Sequence, residues 1–302
     1  MRSIATWRLR TVELELGRRT LIMGVVNITP DSFSDGGIFL DPQAAVGQAL
    51  QLIDEGADLL DLGAESTRPG SHAGGQTPAV SSEEEQARLL PVLEGILKRL
   101  PQAVVSVDTY KAATASAALA AGAEIINDVS GLHWDPAMAE VCADFHAGVI
   151  LMHTRGRPEE WRTQPSLAPD ALLATVRAGL AASLSGAARA GIPPEAVVLD
   201  PGYGFGKRFG ENYHLLAHQT ALLSLGRPLA VGLSRKSFLG RTLAPLFAGP
   251  QMPVDAPTDA RENASLAALT AAVLHGASIV RVHSVRPAVE AARIADAICA
   301  AT

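Results

Sequence analysis

The sequence has little cysteine, few aromatic residues and no basic excess. Cys142 and Cys299 are the only cysteines among 302 residues. Two cysteines exclude a disulfide scaffold and a four-cysteine zinc site, and they favour a reducing compartment. The chain has 7 Phe, 3 Trp and 3 Tyr, and its 31 acidic and 25 basic side chains give a net charge of −6. A nucleic-acid-binding protein typically carries a basic excess, so we expect no nucleic-acid partner.

Long hydrophobic runs are also missing. No segment approaches the roughly 20 consecutive apolar residues that a membrane helix needs. The first residues include Arg2, Arg8, Arg10, Glu13 and Glu15, without the apolar stretch of a signal peptide. We therefore expect a cytoplasmic protein without a membrane partner.

Short apolar segments recur along the chain, and each precedes a longer segment with helical spacing. Because these runs are apolar throughout, they are typical of strands in a parallel sheet that is buried on both faces. The predicted strands are Leu21–Val26, Asp58–Gly63, Ala103–Asp108, Glu124–Asn127, Gly148–Met152, Ala196–Asp200, Pro228–Leu233 and Ser278–His283. The predicted helices lie near 42–55, 82–99, 111–121, 136–144, 169–190, 210–224, 263–275 and 286–300.

Eight strands alternating with eight helices predict an α/β protein with a closed (β/α)8 barrel, and a doubly wound open sheet is the alternative. We expect one domain over residues 1–302, with residues 1–20 as an N-terminal extension. Within it, Trp7–Leu9 and Val12–Leu16 predict a short β-hairpin that plugs the bottom of the barrel. Two predicted loops are long enough to suggest a function: Ala64–Ala79 and Gly240–Ala260.

Polar or charged residues follow nearly every predicted strand. The carboxyl ends of the strands converge on one mouth of a barrel, where active sites are built. The sequence therefore predicts a site at this mouth. The residues are Asn27, Asp61 with Glu65, Asp108, Asn127, His153, Asp200, Ser234 with Lys236, and Arg281 with His283.

Four of these residues suit a flat heteroaromatic ligand. Asp108 and Asp200 offer carboxylate acceptors, Asn127 offers an amide, and Lys236 offers a cationic donor. An aminopyrimidine edge needs that mixture, because its adjacent N–H groups donate while its ring nitrogen and carbonyl oxygen accept.

The other residues suit a phosphate. Arg281 and His283 can donate to phosphate oxygens, and the Asn27 carbonyl can join a Mg²⁺ shell with phosphate and water. The residue types thus predict a heteroaromatic phosphate ester that binds across the mouth.

The segment Gly202–Lys207 invites a phosphate-loop interpretation that its neighbours contradict. A Walker A motif needs a glycine where Pro201 stands and Ser or Thr where Arg208 stands. A dinucleotide fingerprint needs glycine at Lys207. We expect the glycines to let the backbone approach a flat ligand, with Phe205 as a packing face.

Seven motifs, in this order and spacing, resemble the dihydropteroate synthase family from Leu21 to Ala300. They are GVVNITPDSFSDGG (24–37), DLGAESTRPG (61–70), SVDTYK (106–111), INDVSG (126–131), DPGYGFGK (200–207), GLSRKSFLG (232–240) and RVHS (281–284).

The resemblance implies a TIM-barrel transferase of folate biosynthesis, the target of sulfonamides. The implied reaction joins 6-hydroxymethyl-7,8-dihydropterin pyrophosphate to p-aminobenzoate and yields 7,8-dihydropteroate and pyrophosphate. It also implies bound Mg²⁺ and a homodimer formed through helices in the C-terminal part of the barrel.

The resemblance assigns residues to each part of the site. The implied pterin contacts are Asp108, Asn127, Met152, Asp200, Gly232 and Lys236. The implied pyrophosphate contacts are Asn27, Thr67, Arg68, Arg281 and His283, with Asn27 also on the metal. The implied p-aminobenzoate contacts are Phe33, Pro69, Phe205, Lys236 and Ser237. The implied catalytic residues are Asn27, Asp35, Arg68, Lys236, Arg281 and His283.

One residue departs from the family pattern, and two other functions stay open. Ser284 stands where the family commonly has aspartate. A non-catalytic pterin-binding paralogue is one alternative, and Ser284 is its main support. A pterin-dependent methyltransferase is the other, but such an enzyme should lack the Ser234–Ser237 run and the pair of Arg281 and His283.

Overall fold

Ten strands and nine α-helices lie within residues 2–28, 41–64, 80–247 and 255–301, the ranges that this computed structural model describes. The strands are β1 Ala5–Arg8, β2 Glu13–Leu16, β3 Leu21–Asn27, β4 Leu59–Gly63, β5 Val105–Asp108, β6 Ile125–Asp128, β7 Gly148–Met152, β8 Val197–Asp200, β9 Leu229–Val231 and β10 Ala277–Val282. The helices are α1 Pro42–Asp54, α2 Ser82–Arg99, α3 Ala112–Ala120, α4 Met138–Asp144, α5 Pro169–Arg189, α6 Phe209–Ala217, α7 Ser237–Leu243, α8 Glu262–Leu274 and α9 Val285–Ala300.

Strands β3 to β10 form a closed parallel barrel in the order β10-β3-β4-β5-β6-β7-β8-β9. Closure is visible at β10, where Val280 pairs with Ile22 of β3 on one side and with Val231 of β9 on the other. An open sheet would leave two unpaired edges, so the doubly wound alternative is wrong. The α/β barrel fold is confirmed.

Alternation along each strand sorts side chains between two cores, because successive residues point to opposite faces. In β4, Leu60 and Leu62 pack outward under the helices, whereas Leu59 points into the barrel. The inner core fills the N-terminal half of the barrel. Its members on the barrel strands are Leu21, Met23, Leu59, Ile125, Ile150, Val198, Ala230 and Ile279.

The N-terminal hairpin closes the bottom of the barrel, as expected. Its Trp7, Leu9 and Leu16 belong to the inner core, and the Trp7 indole N–H donates to the Ala196 carbonyl at 2.9 Å. A Cβ at Gly148 would lie 2.3 Å from Leu9 Cδ2, so any larger residue at this strand position would have to displace the buried Leu9 side chain. The first strand of the hairpin is Ala5–Arg8 rather than Trp7–Leu9.

Two elements differ from the sequence-based expectation. The predicted helix 210–224 ends at Ala217 and continues after His218 as a 3-10 segment, Gln219–Leu225. Helix α7 was not predicted, and its end occupies the start of the expected loop Gly240–Ala260. Phe238 and Leu239 explain the helix, because both are buried in the outer core. Of the expected loops, residues 65–79 and 248–254 lie outside the described ranges.

Helix α5 alone among the described helices is long and apolar enough to cross a membrane. It is an outer helix of the barrel, however, and it packs against β7 and α6. One face is buried at helical spacing and the opposite face is exposed. The buried residues are Leu172, Val176, Leu180, Ser183 and Ala187.

Removal of the hairpin anchor should destabilise the barrel. We expect Trp7→Ala to lower the free energy of unfolding by about 3–5 kcal/mol, because it leaves a cavity in the inner core. Val12→Ala is the matched control, since Val12 lies in the same hairpin with 38% of its surface exposed; it should change stability by less than about 0.5 kcal/mol. Denaturant unfolding measures both. Equal effects would mean that the hairpin does not seal the core.

Candidate active site

The inner side chains change from apolar to polar towards the C-terminal mouth. In β10, Ile279 belongs to the inner core, so Arg281 two residues later also points inward. The same alternation places most of the sequence-predicted residues inside the mouth. By this criterion the inward residues are Asn27, Asp108, Asn127, Met152, Asp200, Gly232 and Arg281.

Arg281 lies between two carboxylates. Its Nε donates to Asp61 Oδ2 at 2.5 Å, and its Nη2 donates to Asp108 Oδ2 at 2.8 Å. Asn127 Nδ2 also donates to Asp61 Oδ2, at 3.3 Å. The exposed fraction rises from 0% for the Asp61 side chain to 14% for Asp108 and 25% for Arg281, so the cluster leads from the interior to the mouth.

Asp61 is the predicted mouth residue to which neither the residue types nor the family resemblance assigns a ligand contact. The signal was present in the sequence, because Asp61 interrupts the otherwise apolar run Leu59–Leu62. Its Oδ1 has no hydrogen-bond partner among the described residues, and neither does Ser106 Oγ, whose residue is its register partner on β5. Unused buried acceptors of this kind mark a place for a water or a ligand donor.

Burial controls the protonation of these carboxylates. Desolvation raises the pKa of Asp108 to about 7, with Arg281 opposing the rise and Asp61 adding to it. Desolvation also raises the pKa of Asp200, against the backbone N–H of Gly202 and the charge of Lys236. Burial lowers the pKa of Arg281, but Asp61 and Asp108 outweigh it and raise that pKa above its usual value. Donors from a ligand would therefore stabilise the ionised carboxylates.

Lys207 organises the glycine-rich segment from within. Its buried Nζ donates to the carbonyls of His153 at 3.1 Å, Gly202 at 2.7 Å and Phe205 at 3.2 Å. Desolvation lowers the pKa of Lys207 to about 7, although Asp200 favours its charged form. Because three backbone carbonyls occupy this ammonium group, it holds the loop together rather than reaching outward for a phosphate.

The same segment presents Phe205 beside Lys236. The Lys236 Nζ lies 4.0 Å from the centroid of the Phe205 ring, which suits a cation–π contact. Trp161 meets Phe205 edge-on, with ring centroids 5.0 Å apart. Asp200 Oδ1 accepts from the Gly202 N–H at 2.6 Å, where Gly202 has a φ of +69°. A Cβ there would lie 1.9 Å from the His153 carbonyl oxygen, so glycine is required.

His283 and Ser284 are held from neighbouring loops. His283 Nδ1 and Ser234 Oγ lie 2.9 Å apart. Ser284 Oγ accepts from Arg235 Nη2 at 3.2 Å, and Arg235 Nε pairs with Glu262 Oε2 at 3.5 Å. The hydroxyl that stands at the family's usual aspartate position thus already contacts an arginine.

The remaining predicted site residues differ in depth, and some lie outside the described ranges. Gly232 faces Arg281, since a Cβ there would lie 4.0 Å from the arginine side chain. Met152 is buried at the end of β7, and Ser237 is exposed at the start of α7. Six residues lie outside the described ranges: Phe33, Asp35, Glu65, Thr67, Arg68 and Pro69.

The described residues contain no group of three or more His, Cys, Asp or Glu side chains that could hold a metal ion. Mg²⁺ commonly takes only one or two protein ligands and completes its shell with water and substrate phosphate. Asn27 ends β3, the strand next to β10, and so offers an amide oxygen on the Arg281 side of the mouth. A single amide fits a magnesium ion that arrives with a phosphate ligand.

Comparison with known proteins identifies the family. Residues 23–283 match the pterin-binding enzyme family. The dihydropteroate synthase of Mycobacterium leprae is 43% identical over 278 residues, which cover 91% of this chain and 92% of the relative.

Solved structures agree. Xanthomonas albilineans dihydropteroate synthase with 4-aminobenzoic acid superposes with a TM-score of 0.85 at 38% identity, covering 99% of both chains. Yersinia pestis dihydropteroate synthase in a sulfonamide drug complex superposes with a TM-score of 0.85 at 37% identity, covering 98% of this chain and 100% of that one. With the barrel, the polar mouth and these similarities together, the chain belongs to the pterin-binding enzyme family, among the dihydropteroate synthases.

Proposed function

We propose that the chain joins 6-hydroxymethyl-7,8-dihydropterin pyrophosphate to p-aminobenzoate, giving 7,8-dihydropteroate and pyrophosphate in folate biosynthesis. The observation that carries this proposal is the buried cluster in which Arg281 bridges Asp61 and Asp108 at the barrel mouth. It places carboxylate acceptors for a ring beside a cation for a diphosphate. A dihydropteroate synthase that is 43% identical over 91% of the chain argues against the methyltransferase alternative.

The pterin ring is assigned to the inner part of the mouth. Asp200 accepts from the aminopyrimidine edge, and Asp108 and Asn127 pair with its neighbouring ring groups. Lys236 donates to the pterin carbonyl oxygen from beside Phe205. Met152 and Gly232 line the slot, where the missing side chain of Gly232 leaves room beside Arg281.

The diphosphate is assigned to Asn27, Arg281 and His283, with Thr67 and Arg68 from the predicted loop Ala64–Ala79. As the CH₂–O bond breaks, negative charge develops on the departing pyrophosphate, and Arg281 and His283 stabilise it there. Mg²⁺ held by Asn27 and the diphosphate would supply further charge neutralisation. Asp108 and Asp200 favour the positive charge that the pterin methylene acquires.

The second substrate is assigned to the outer side of the mouth. Phe205, Lys236 and Ser237 border this position, together with Phe33 and Pro69. Asp35 of the motif 24–37 and Arg68 of the motif 61–70 act in catalysis. The aniline nitrogen of p-aminobenzoate is a nucleophile at neutral pH, so the reaction needs no strong general base. The 4-aminobenzoic acid in the Xanthomonas structure supports this substrate.

We further propose a cytoplasmic homodimer in which residues 1–302 form one domain. Exposed apolar side chains on the two C-terminal helices support the dimer: Leu274 is 44% exposed, Ile294 63% and Ile298 46%. Ile294 and Ile298 lie one turn apart on α9 and so share one face. A partner helix would remove this surface from water.

Pyrophosphate release tests the reaction. The purified chain with the pterin diphosphate and Mg²⁺ should release pyrophosphate only when p-aminobenzoate is added, with one 7,8-dihydropteroate formed for each pyrophosphate. Pyrophosphate release at the same rate with and without p-aminobenzoate would exclude the synthase reaction. Binding of the pterin without any release would favour the non-catalytic paralogue.

Asp200→Asn should weaken pterin binding about ten- to hundred-fold. A carboxylate accepts two hydrogen bonds from the aminopyrimidine edge, whereas an amide replaces one acceptor by a donor, and charged hydrogen bonds contribute about 1.5–3 kcal/mol. Titration calorimetry with the free pterin measures the loss. Asp144→Asn, an exposed position on α4, is the control and should leave affinity unchanged. An unchanged affinity in Asp200→Asn would remove Asp200 from the site.

Arg281→Ala should weaken binding of the pterin diphosphate far more than binding of free pterin. The expected difference is at least about ten-fold, because the arginine contributes a charged contact to the diphosphate alone. Calorimetry with both ligands gives the two ratios. Equal losses would contradict the assignment and would indicate that removing the partner of Asp61 and Asp108 disrupts the pocket itself.

A further inference from the structure

The segment that carries Lys236 also contains a strained residue. Arg235 has a φ of +59°, in the left-handed region that residues other than glycine seldom occupy. It stands between Ser234, whose hydroxyl contacts His283, and Lys236, whose ammonium lies over Phe205. The backbone at Arg235 therefore sets the direction of Lys236, and through Ser234 it also affects the position of His283. Both Lys236 and His283 are assigned to the substrate.

The start of helix α8 holds this backbone in place. The Arg235 N–H donates to Ser265 Oγ at 2.9 Å, and Arg261 Nη1 donates to the Arg235 carbonyl at 3.1 Å. Arg261 is itself fixed, since its Nε and Nη2 donate to the Ala256 carbonyl at 2.8 Å and 2.7 Å. Ala256 in turn donates its N–H to the Gly240 carbonyl at 2.9 Å. The end of the long connection after α7 thus anchors the strained residue.

The Arg235 side chain adds a second attachment. Its Nε lies 3.5 Å from Glu262 Oε2 in α8, and its Nη2 donates to Ser284 Oγ at 3.2 Å, directly after His283. The guanidinium therefore connects three parts of the mouth: the Ser234–Ser237 segment, the first turn of α8 and the end of β10. Among these partners, Glu262 supplies the negative charge.

We propose that Glu262 is a positioning residue that acts through Arg235: the ion pair holds the strained segment so that Lys236 and His283 face the pterin diphosphate together. In this chain Glu262 supplies from α8 the carboxylate that pairs with Arg235, and Ser284 adds a neutral acceptor. The proposal rests on the proposed function for the identity of the substrate.

The test removes the carboxylate at position 262 and then introduces one at position 284. Glu262→Gln should lower kcat/KM for the pterin diphosphate about three- to ten-fold, through a higher KM, without lowering the melting temperature. Ser284→Asp in the Glu262→Gln background should restore kcat/KM to within about two-fold of the wild type. The reason is that it places a carboxylate at position 284, where the Arg235 guanidinium can pair with it. Glu290→Gln, which removes an exposed carboxylate from α9, is the matched control and should leave the kinetics unchanged.

A double-mutant cycle shows whether the effect passes through Arg235. Arg235→Gly permits the left-handed backbone and removes the guanidinium, so Glu262→Gln should have no further effect in that background. An unchanged kcat/KM in Glu262→Gln, a failed rescue by Ser284→Asp, or additive losses in the cycle would each overturn the proposal. Absence of p-aminobenzoate-dependent pyrophosphate release in the wild type would instead refute the proposed function. Calorimetric affinities of the same variants for the pterin diphosphate then test whether Glu262 affects substrate binding, independently of turnover.

Discussion

The arrangement of the mouth depends on one cation, the Arg281 guanidinium, held between Asp61 and Asp108. An ion pair that is largely withdrawn from water contributes little to stability, because the desolvation of both partners offsets their attraction. Hydrophobic residues would close this half of the barrel more simply, as they do in the half that the hairpin seals. The charges therefore indicate a ligand that needs both an acceptor and a cation within a few ångströms.

Closure of the barrel makes this cluster possible. Arg281 lies on β10 and Asp61 on β4, which are 220 residues apart in sequence but are separated in the barrel only by β3. The parity of each strand then determines which residues meet inside. Gly24 and Gly148 show how closely the layers approach, since a Cβ at either would meet side chains at 3.2 Å and 2.3 Å respectively.

Much of this architecture was predictable from the sequence, because the strands of a buried parallel sheet are nearly continuous apolar runs. All eight barrel strands lie within about two residues of their expected bounds, and the polar residues at their ends mark the mouth. The role of Asp61 was not predictable, because its pairing with Arg281 is set by barrel closure and not by spacing along the chain. The structural role of Lys207 was not predictable either. A lysine after a glycine-rich stretch suggests a phosphate ligand, and only the fold shows that three carbonyls surround it.

The protonation of the carboxylates connects the two halves of the proposed substrate. Burial raises the pKa of Asp108 to about 7 even with Arg281 bound to it, so its charge is under-compensated in the free protein. A diphosphate that also accepts hydrogen bonds from the Arg281 guanidinium would compensate part of its positive charge, so the negative charges of Asp108 and Asp61 would be compensated less. The N–H donors of a pterin ring would replace the stabilisation of these carboxylates that the arginine no longer provides. In the proposed function the diphosphate contacts Arg281 and the ring contacts the carboxylates, so the pocket favours a ligand that carries both groups over either fragment alone.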